Sequence, residues 1–206
     1  MLARTQRVSL PAALLLVVLA VLLWSGIQPH DRLTWLLEVF PVLIGIPVLV
    51  ATRRRFPLTP LAYILLALHA VALMVGGKYT YAEVPIGNWF RDAFHLARNH
   101  YDRFGHFLQG FVPALVAREV LLRASPLKRG RWLAFLVVCV CLAISAAYEL
   151  VEWATAALSG AAADAFLGTQ GDAWDTQKDM AMALVGAVSS LLLLPRIHDR
   201  QLDARR

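Results

Sequence analysis

Six long apolar runs fill most of this chain, and ionisable side chains sit within or beside four of them. Backbone polar groups cannot be left unpaired in hydrocarbon, so runs of this kind cross a membrane as helices. Read with a window of about 19 residues, the spans fall at Val8–Ile27, Leu33–Ala51, Leu58–Val75, Phe104–Leu122, Trp132–Trp153 and Asp175–Leu194. Hydrophobic residues make up 59% of the chain and charged ones 17%, too few polar groups to cover a soluble globule. The expected fold is all-α, a polytopic helical bundle of about six transmembrane helices forming a single membrane domain over residues 1–206.

The first run follows Arg4 and Arg7, as a signal peptide would, but it is long for that role and lacks an A-x-A site. It reads as an uncleaved anchor. Cys139 and Cys141, spaced C-x-C inside the fifth run, have no partner cysteines and read as buried apolar fillers.

Six spans put both termini on one side, together with the loops around Arg53–Arg55 and Arg118–Arg131. Fourteen of the twenty Lys and Arg residues lie there, which makes that side cytoplasmic. The net charge of +6 then faces anionic lipid, and no motif points to nucleic acid. The tail after Arg196 is polar and short.

This topology assigns a depth to each polar residue. Glu38 opens the second span, His106 and Gln109 the fourth, and Asp175 and Asp179 the sixth, while Glu149 and Glu152 close the fifth. All of these positions are outer. The inner halves carry almost nothing comparable, and His69 in the third span is the exception. Intramembrane ionisable residues are functional hypotheses by default.

Helical spacing groups these residues further. Asp172, Asp175 and Asp179 share a face if the sixth helix reaches back that far, as do Glu149 and Glu152. Arg91, His95, Arg98, Asp102, His106 and Gln109 form one polar stripe if residues 91–109 are continuously helical, with Phe90, Phe94 and Tyr101 on an interfacial face. Gly110, Gly186 and Ser145 lie below His106, Asp179 and Glu149, where small residues let helices pack closely.

Each signal has a structural alternative. Asp172 and Asp175 suit a helix start, and Glu149 and Glu152 suit ion pairs with Arg91, Arg98 or Arg103. His69 reads as a packing histidine. Tyr79, Tyr81, Trp89 and Trp174 read as interfacial belt residues, and Pro85 with Gly87 as a turn.

Carboxylates with one imidazole match a divalent cation such as magnesium, manganese or zinc. Asp172, Asp175 and Asp179 are the expected metal ligands. Arg91, Arg98 and Gln109 are the expected substrate-binding residues, the arginines as phosphate partners. His106, Glu149 and Glu152 are the expected catalytic groups. The corresponding chemistry is metal-assisted action on a lipid or lipid-linked phosphate at the bilayer surface. An ion- or proton-coupled transporter and a non-catalytic envelope scaffold remain the alternatives.

The strings YTYAEVPIGNWF (Tyr79 to Phe90), RNHYDRFGHFLQGFVPALVARE (Arg98 to Glu119), YELVEW (Tyr148 to Trp153) and FLGTQGDAWDTQKDMAMALVGA (Phe166 to Ala187) resemble the YjdF-type family of bacterial inner-membrane proteins. That family has no assigned reaction, and the resemblance implies a bacterial inner membrane. A fainter similarity links His106 with Phe107, Glu149 with Glu152, and Asp175 and Asp179 with Gly186 to VanZ-like membrane proteins, which implies a cell-envelope role. Asp179 and Met180 stand where those proteins tend to show asparagine.

Overall fold

The computed structural model of the chain describes residues 9–159 and 169–205. Arg4, Arg7 and Val8 of the expected anchor, residues 160–168 and Arg206 lie outside the described residues. Among the described residues every regular element is helical. The elements are α1 (Leu10–Gly26), α2 (Arg32–Thr52), α3 (Pro60–Tyr79), a 3-10 turn at Tyr81–Glu83, α4 (Pro85–Ala93), α5 (Tyr101–Ala124), α6 (Arg131–Ser159), α7 (Asp175–Leu193) and α8 (Pro195–Asp203).

Local chemistry sets the boundaries. Asp31 caps α2 by accepting from the Thr34 N–H at 2.7 Å, and Thr59 caps α3 ahead of Pro60. Pro85 likewise sits at the first turn of α4. The segment Pro85–Gly87, expected as a turn, is therefore a helix start. Gly87 is required there because a Cβ would strike the Asn99 side chain.

α5 packs chiefly on α7, with α6 against both, while α3 joins this group to α1 and α2. One apolar core, from α5, α6 and α7, holds Ala114, Val137, Cys141 and Ala187. Another, from α1, α2 and α3, holds Val18, Val39, Val42 and Met74. α5 and α7 cross at two glycines. A Cβ on Gly110 would overlap the Ala183 carbonyl, and one on Gly186 would overlap the Phe107 carbonyl. This is the close approach that small residues permit. Cys141 is buried as expected, but Cys139 is exposed.

The outward faces are apolar. Leu23 is 73% exposed, Trp132 73% and Leu192 76%, a surface suited to lipid rather than water. Three described helices, Arg32–Thr52, Pro60–Tyr79 and Arg131–Leu158, are long and apolar enough to cross a membrane alone. α7 and α8, bent by 58°, pass together as a broken pair. α1 is apolar but shorter, and α5 carries charges in both its first and last turns.

The starts of α2, α5 and α7 lie with the ends of α3 and α6 at one end of the bundle, here called the acidic end. At the opposite, basic end the structure corrects an expectation. Glu119 and His198 are fully buried there, although that half was expected to be nearly free of polar groups. Glu119 accepts from the Thr59 backbone N–H at 3.0 Å, the Thr59 hydroxyl at 2.7 Å and Arg123 at 2.5 Å. The His198 ring lies 3.1 Å from Glu119 through Nε2 and 2.9 Å from Arg118 through Nδ1. Arg118 also donates to Asp199, and Arg129 to Asp203, both at 2.7 Å. The polar tail is thus a docked helix, and its buried groups are paired as burial requires.

Candidate functional site

The acidic end gathers its side chains from α2, α5, α6, α7 and the segment before α5. The helix expected across residues 91–109 is interrupted. α4 stops at Ala93, His95 adopts φ +52°, and α5 begins at Tyr101. Buried Asn99 holds this break by donating to the Val84 carbonyl at 3.1 Å and accepting from the Tyr101 N–H at 2.9 Å. The expected polar stripe is therefore broken. Arg91 stays on exposed α4 and pairs with Asp92 at 2.9 Å, away from the other expected substrate-binding residues.

Past the break, two buried arginines meet the aspartates of α7. Arg98 donates to Asp175 Oδ1 at 2.5 Å and to the Thr169 carbonyl at 3.1 Å. Arg103 donates to Asp175 Oδ1 at 2.6 Å and to Asp172 Oδ2 at 3.2 Å, and it pairs with Asp179. Lys178 completes the layer, 2.6 Å from Asp172. Helix α7 begins at Asp175, so Asp172 precedes the helix rather than extending its face. Its carboxylate accepts from the Trp174 N–H at 3.0 Å. The Lys178 ammonium and that N–H together hold the Asp172 carboxyl below the usual range. The three expected metal ligands are thus brought together, but with guanidinium groups between them.

His106 lies one turn below Arg103, on the other side of this ion-pair layer. Its Nδ1 is 3.2 Å from Gln109 Oε1. A carboxamide oxygen only accepts, so in the neutral tautomer that makes this hydrogen bond Nδ1 donates and Nε2 is left as an acceptor. The other nitrogen, Nε2, faces Asp102 Oδ1 at 3.6 Å and Glu149 Oε1 at 3.7 Å. Both distances are too long for a hydrogen bond. Glu149 Oε1 is buried and accepts no hydrogen bond among the described residues. Two sets of donor atoms converge within 4.8 Å of one another: Asp102, His106 and Asp179, and His106, Glu149 and Glu152.

Glu38 joins from α2. Its Oε2 lies 2.8 Å from the Tyr148 hydroxyl, which is also 3.3 Å from the Leu37 carbonyl. That carbonyl is free because Pro41, four residues on, has no N–H. Tyr81, expected in the interfacial belt, is instead buried against Gly76 and Gly105. Tyr101, expected on an interfacial face, donates its hydroxyl to the Ala72 carbonyl at 3.0 Å. Trp89 and Trp174 are exposed.

Sequence reasoning placed His106, Gln109, Glu149, Glu152, Asp175 and Asp179 at this end, and all six lie in or against the cluster. It named Arg103 only as an ion-pair partner for Glu149 and Glu152, whereas the structure pairs it with Asp172, Asp175 and Asp179. Tyr148, one residue before Glu149, was missed and carried no signal of its own.

A profile described as "Predicted membrane protein (DUF2238)" matches residues 10–200. The chain belongs to this family. It is similar to the inner membrane protein YjdF of Escherichia coli (strain K12), with 57% identity over 182 residues, 88% of this chain and 87% of that protein. No solved structure matches. The DUF2238 match covers α1 to α7 and most of α8, so both the acidic cluster and the Glu119–His198 cluster fall inside it.

Proposed function

We propose that this protein crosses the bacterial inner membrane six times with both termini in the cytoplasm. The acidic cluster then faces outward, binds a divalent cation, and acts through it on a lipid or lipid-linked phosphate. The topology rests on the distribution of Lys and Arg and on similarity to an inner membrane protein.

The cation reading is carried by His106. With Nδ1 donating to Gln109, its Nε2 lone pair points into a nook walled by carboxylate oxygens at 3.6 and 3.7 Å. Lone pairs facing one another at that range repel unless a positive charge lies between them. Ligand atoms about 2.0–2.2 Å from a metal lie roughly 3–4 Å apart, which fits these gaps. A ligating histidine usually donates its other N–H to a second partner, as His106 does to Gln109. We assign His106 with Asp179 or Asp102 on one side, and Glu149 and Glu152 on the other, as the ligand pool. Asp172 and Asp175 hold Arg98 and Arg103, which makes them the charged frame of the site. Bound there, the cation supplies a Lewis acid for a phosphoryl oxygen, and a carboxylate not ligating it takes the proton from water.

The test is metal content and divalent-dependent melting of purified protein, compared with His106→Ala and Glu149→Gln variants. The reading expects stoichiometric metal and a melting temperature raised by the matching cation in the parent, with both reduced in the variants. No bound metal and no cation-dependent shift in the parent would overturn it.

A further inference from the structure

A cavity of about 510 Å³ runs from the acidic cluster down between α1, α2, α3 and α5. Its two halves differ in chemistry. The upper end is walled by Glu38, Asp102, His106, Gln109, Tyr148 and Glu152, whereas the remainder is lined mostly by apolar side chains such as Leu14, Val18, Ile46 and Leu73, with His69 on α3 and Tyr63 and Arg53 at the end away from the cluster. Leu16 and Val50, which also line it, are 63% and 48% exposed on the outward face. The cavity therefore opens sideways, onto the surface that meets lipid. Its volume falls in the range of ligand sites, roughly 300–1,000 Å³.

Such polar and apolar segregation matches an amphiphile, and the lateral opening matches entry from the bilayer. A water-soluble solute would leave the apolar length unsatisfied. The charge of the upper end narrows the head group. No Lys or Arg lines that end of the cavity, since Arg98 and Arg103 are turned to the aspartates near the start of α7. An anionic head can settle among these carboxylates only with a cation between.

We infer that the cavity seats the apolar chain of a long-chain phosphate ester whose head is held at His106 and Glu152 through the divalent cation. This inference rests on the cation reading above and adds the place where the substrate's apolar chain is seated. Gly45 supplies the means to test the chain alone. It lines the cavity, and a Cβ placed on it meets nothing within 4 Å. A larger side chain there fills the cavity far from the ligand pool.

The experiment measures melting of the protein in amphipol with Mn²⁺ alone, and with Mn²⁺ plus butyl, dodecyl or hexadecyl phosphate. In the parent the increment over Mn²⁺ alone should grow with chain length, and Gly45→Phe should keep the Mn²⁺ shift while losing the hexadecyl increment. Equal increments for butyl and hexadecyl phosphate would make this a free-phosphate site and overturn the inference while leaving the cation reading intact. An unchanged hexadecyl increment in Gly45→Phe, with the same result in Ala70→Leu at a second position lining the cavity, would overturn it equally. So would the absence of any increment over Mn²⁺ alone for all three phosphates, the result expected if a second copy fills the groove. The chain-length series in the parent decides the matter even if both variants unfold. No Mn²⁺ shift in the parent would overturn the cation reading and this inference together.

Discussion

Arg103 holds Asp175 by both its side chain and its backbone: one guanidinium nitrogen lies 2.6 Å from Oδ1 and the other 3.0 Å from the carbonyl oxygen. This couples the first turn of α5 to the first turn of α7, immediately above the glycine crossing. Arg103→Ala would leave the buried Asp179 carboxylate without its guanidinium partner and Asp175 with Arg98 alone. Removing one partner of a buried pair costs about 3–5 kcal/mol, and a loss of that size is expected in unfolding measurements. Arg103→Lys should recover only part of it, because an ammonium cannot reproduce the forked geometry.

The crossing itself separates glycines with a packing role from those without. Gly186→Val forces a side chain into the Phe107 carbonyl of α5, and overpacking of this kind costs about 1–3 kcal/mol or more. Gly45→Ala meets open space and removes a helix-interior glycine, so it should be neutral or stabilising by about 0.5–1 kcal/mol. Thermal melts of the two variants side by side check the contrast.

Helix positions were legible because a long run of apolar residues is a coarse signal that survives errors of a few residues. The polar layer was legible for the same reason: Glu149 and Asp179 stand out inside apolar runs. Side-chain partnerships were not. Arg98 and Asp175 are 77 residues apart, and nothing local distinguishes a guanidinium waiting for phosphate from one already held by aspartates. Tail docking was hidden by composition, since Pro195–Asp203 reads as a solvated polar end. Its pairing of His198 with Glu119 spans 79 residues. Tyr81 misled for a related reason. An aromatic near a span end suits the interface, and only the notch made by Gly76 and Gly105 draws it inward.

At the basic end Glu119 is the hub, and its loss should cost more than loss of His198. Glu119→Ala strands the Thr59 N–H and hydroxyl, His198 and part of Arg123, a buried charged network whose disruption costs about 3–5 kcal/mol. His198→Ala leaves Glu119 with Thr59 and Arg123, so about 1–3 kcal/mol is expected. The same order should appear as proteolytic susceptibility of the α8 segment, with Glu119→Ala releasing it most. Equal stability of the two variants would show that α8 is held by its exposed pairs alone.

Asp172 gives a pH dependence that can be read outside the membrane-spanning helices. Lys178 and the Trp174 N–H lower its folded pKa below the ordinary value near 3.8. A depressed carboxylate pKa contributes stability that is fully present above the unfolded value and is lost as pH falls through the folded one. The melting temperature of the parent should therefore exceed that of Asp172→Asn at neutral pH, and the gap should hold down to about pH 4. Below that it should close. Lys178→Met removes the larger of the two causes, so it should shrink the gap at neutral pH. A gap that is flat across the whole range would mean that Asp172 acts through its backbone turn, with its charge contributing nothing.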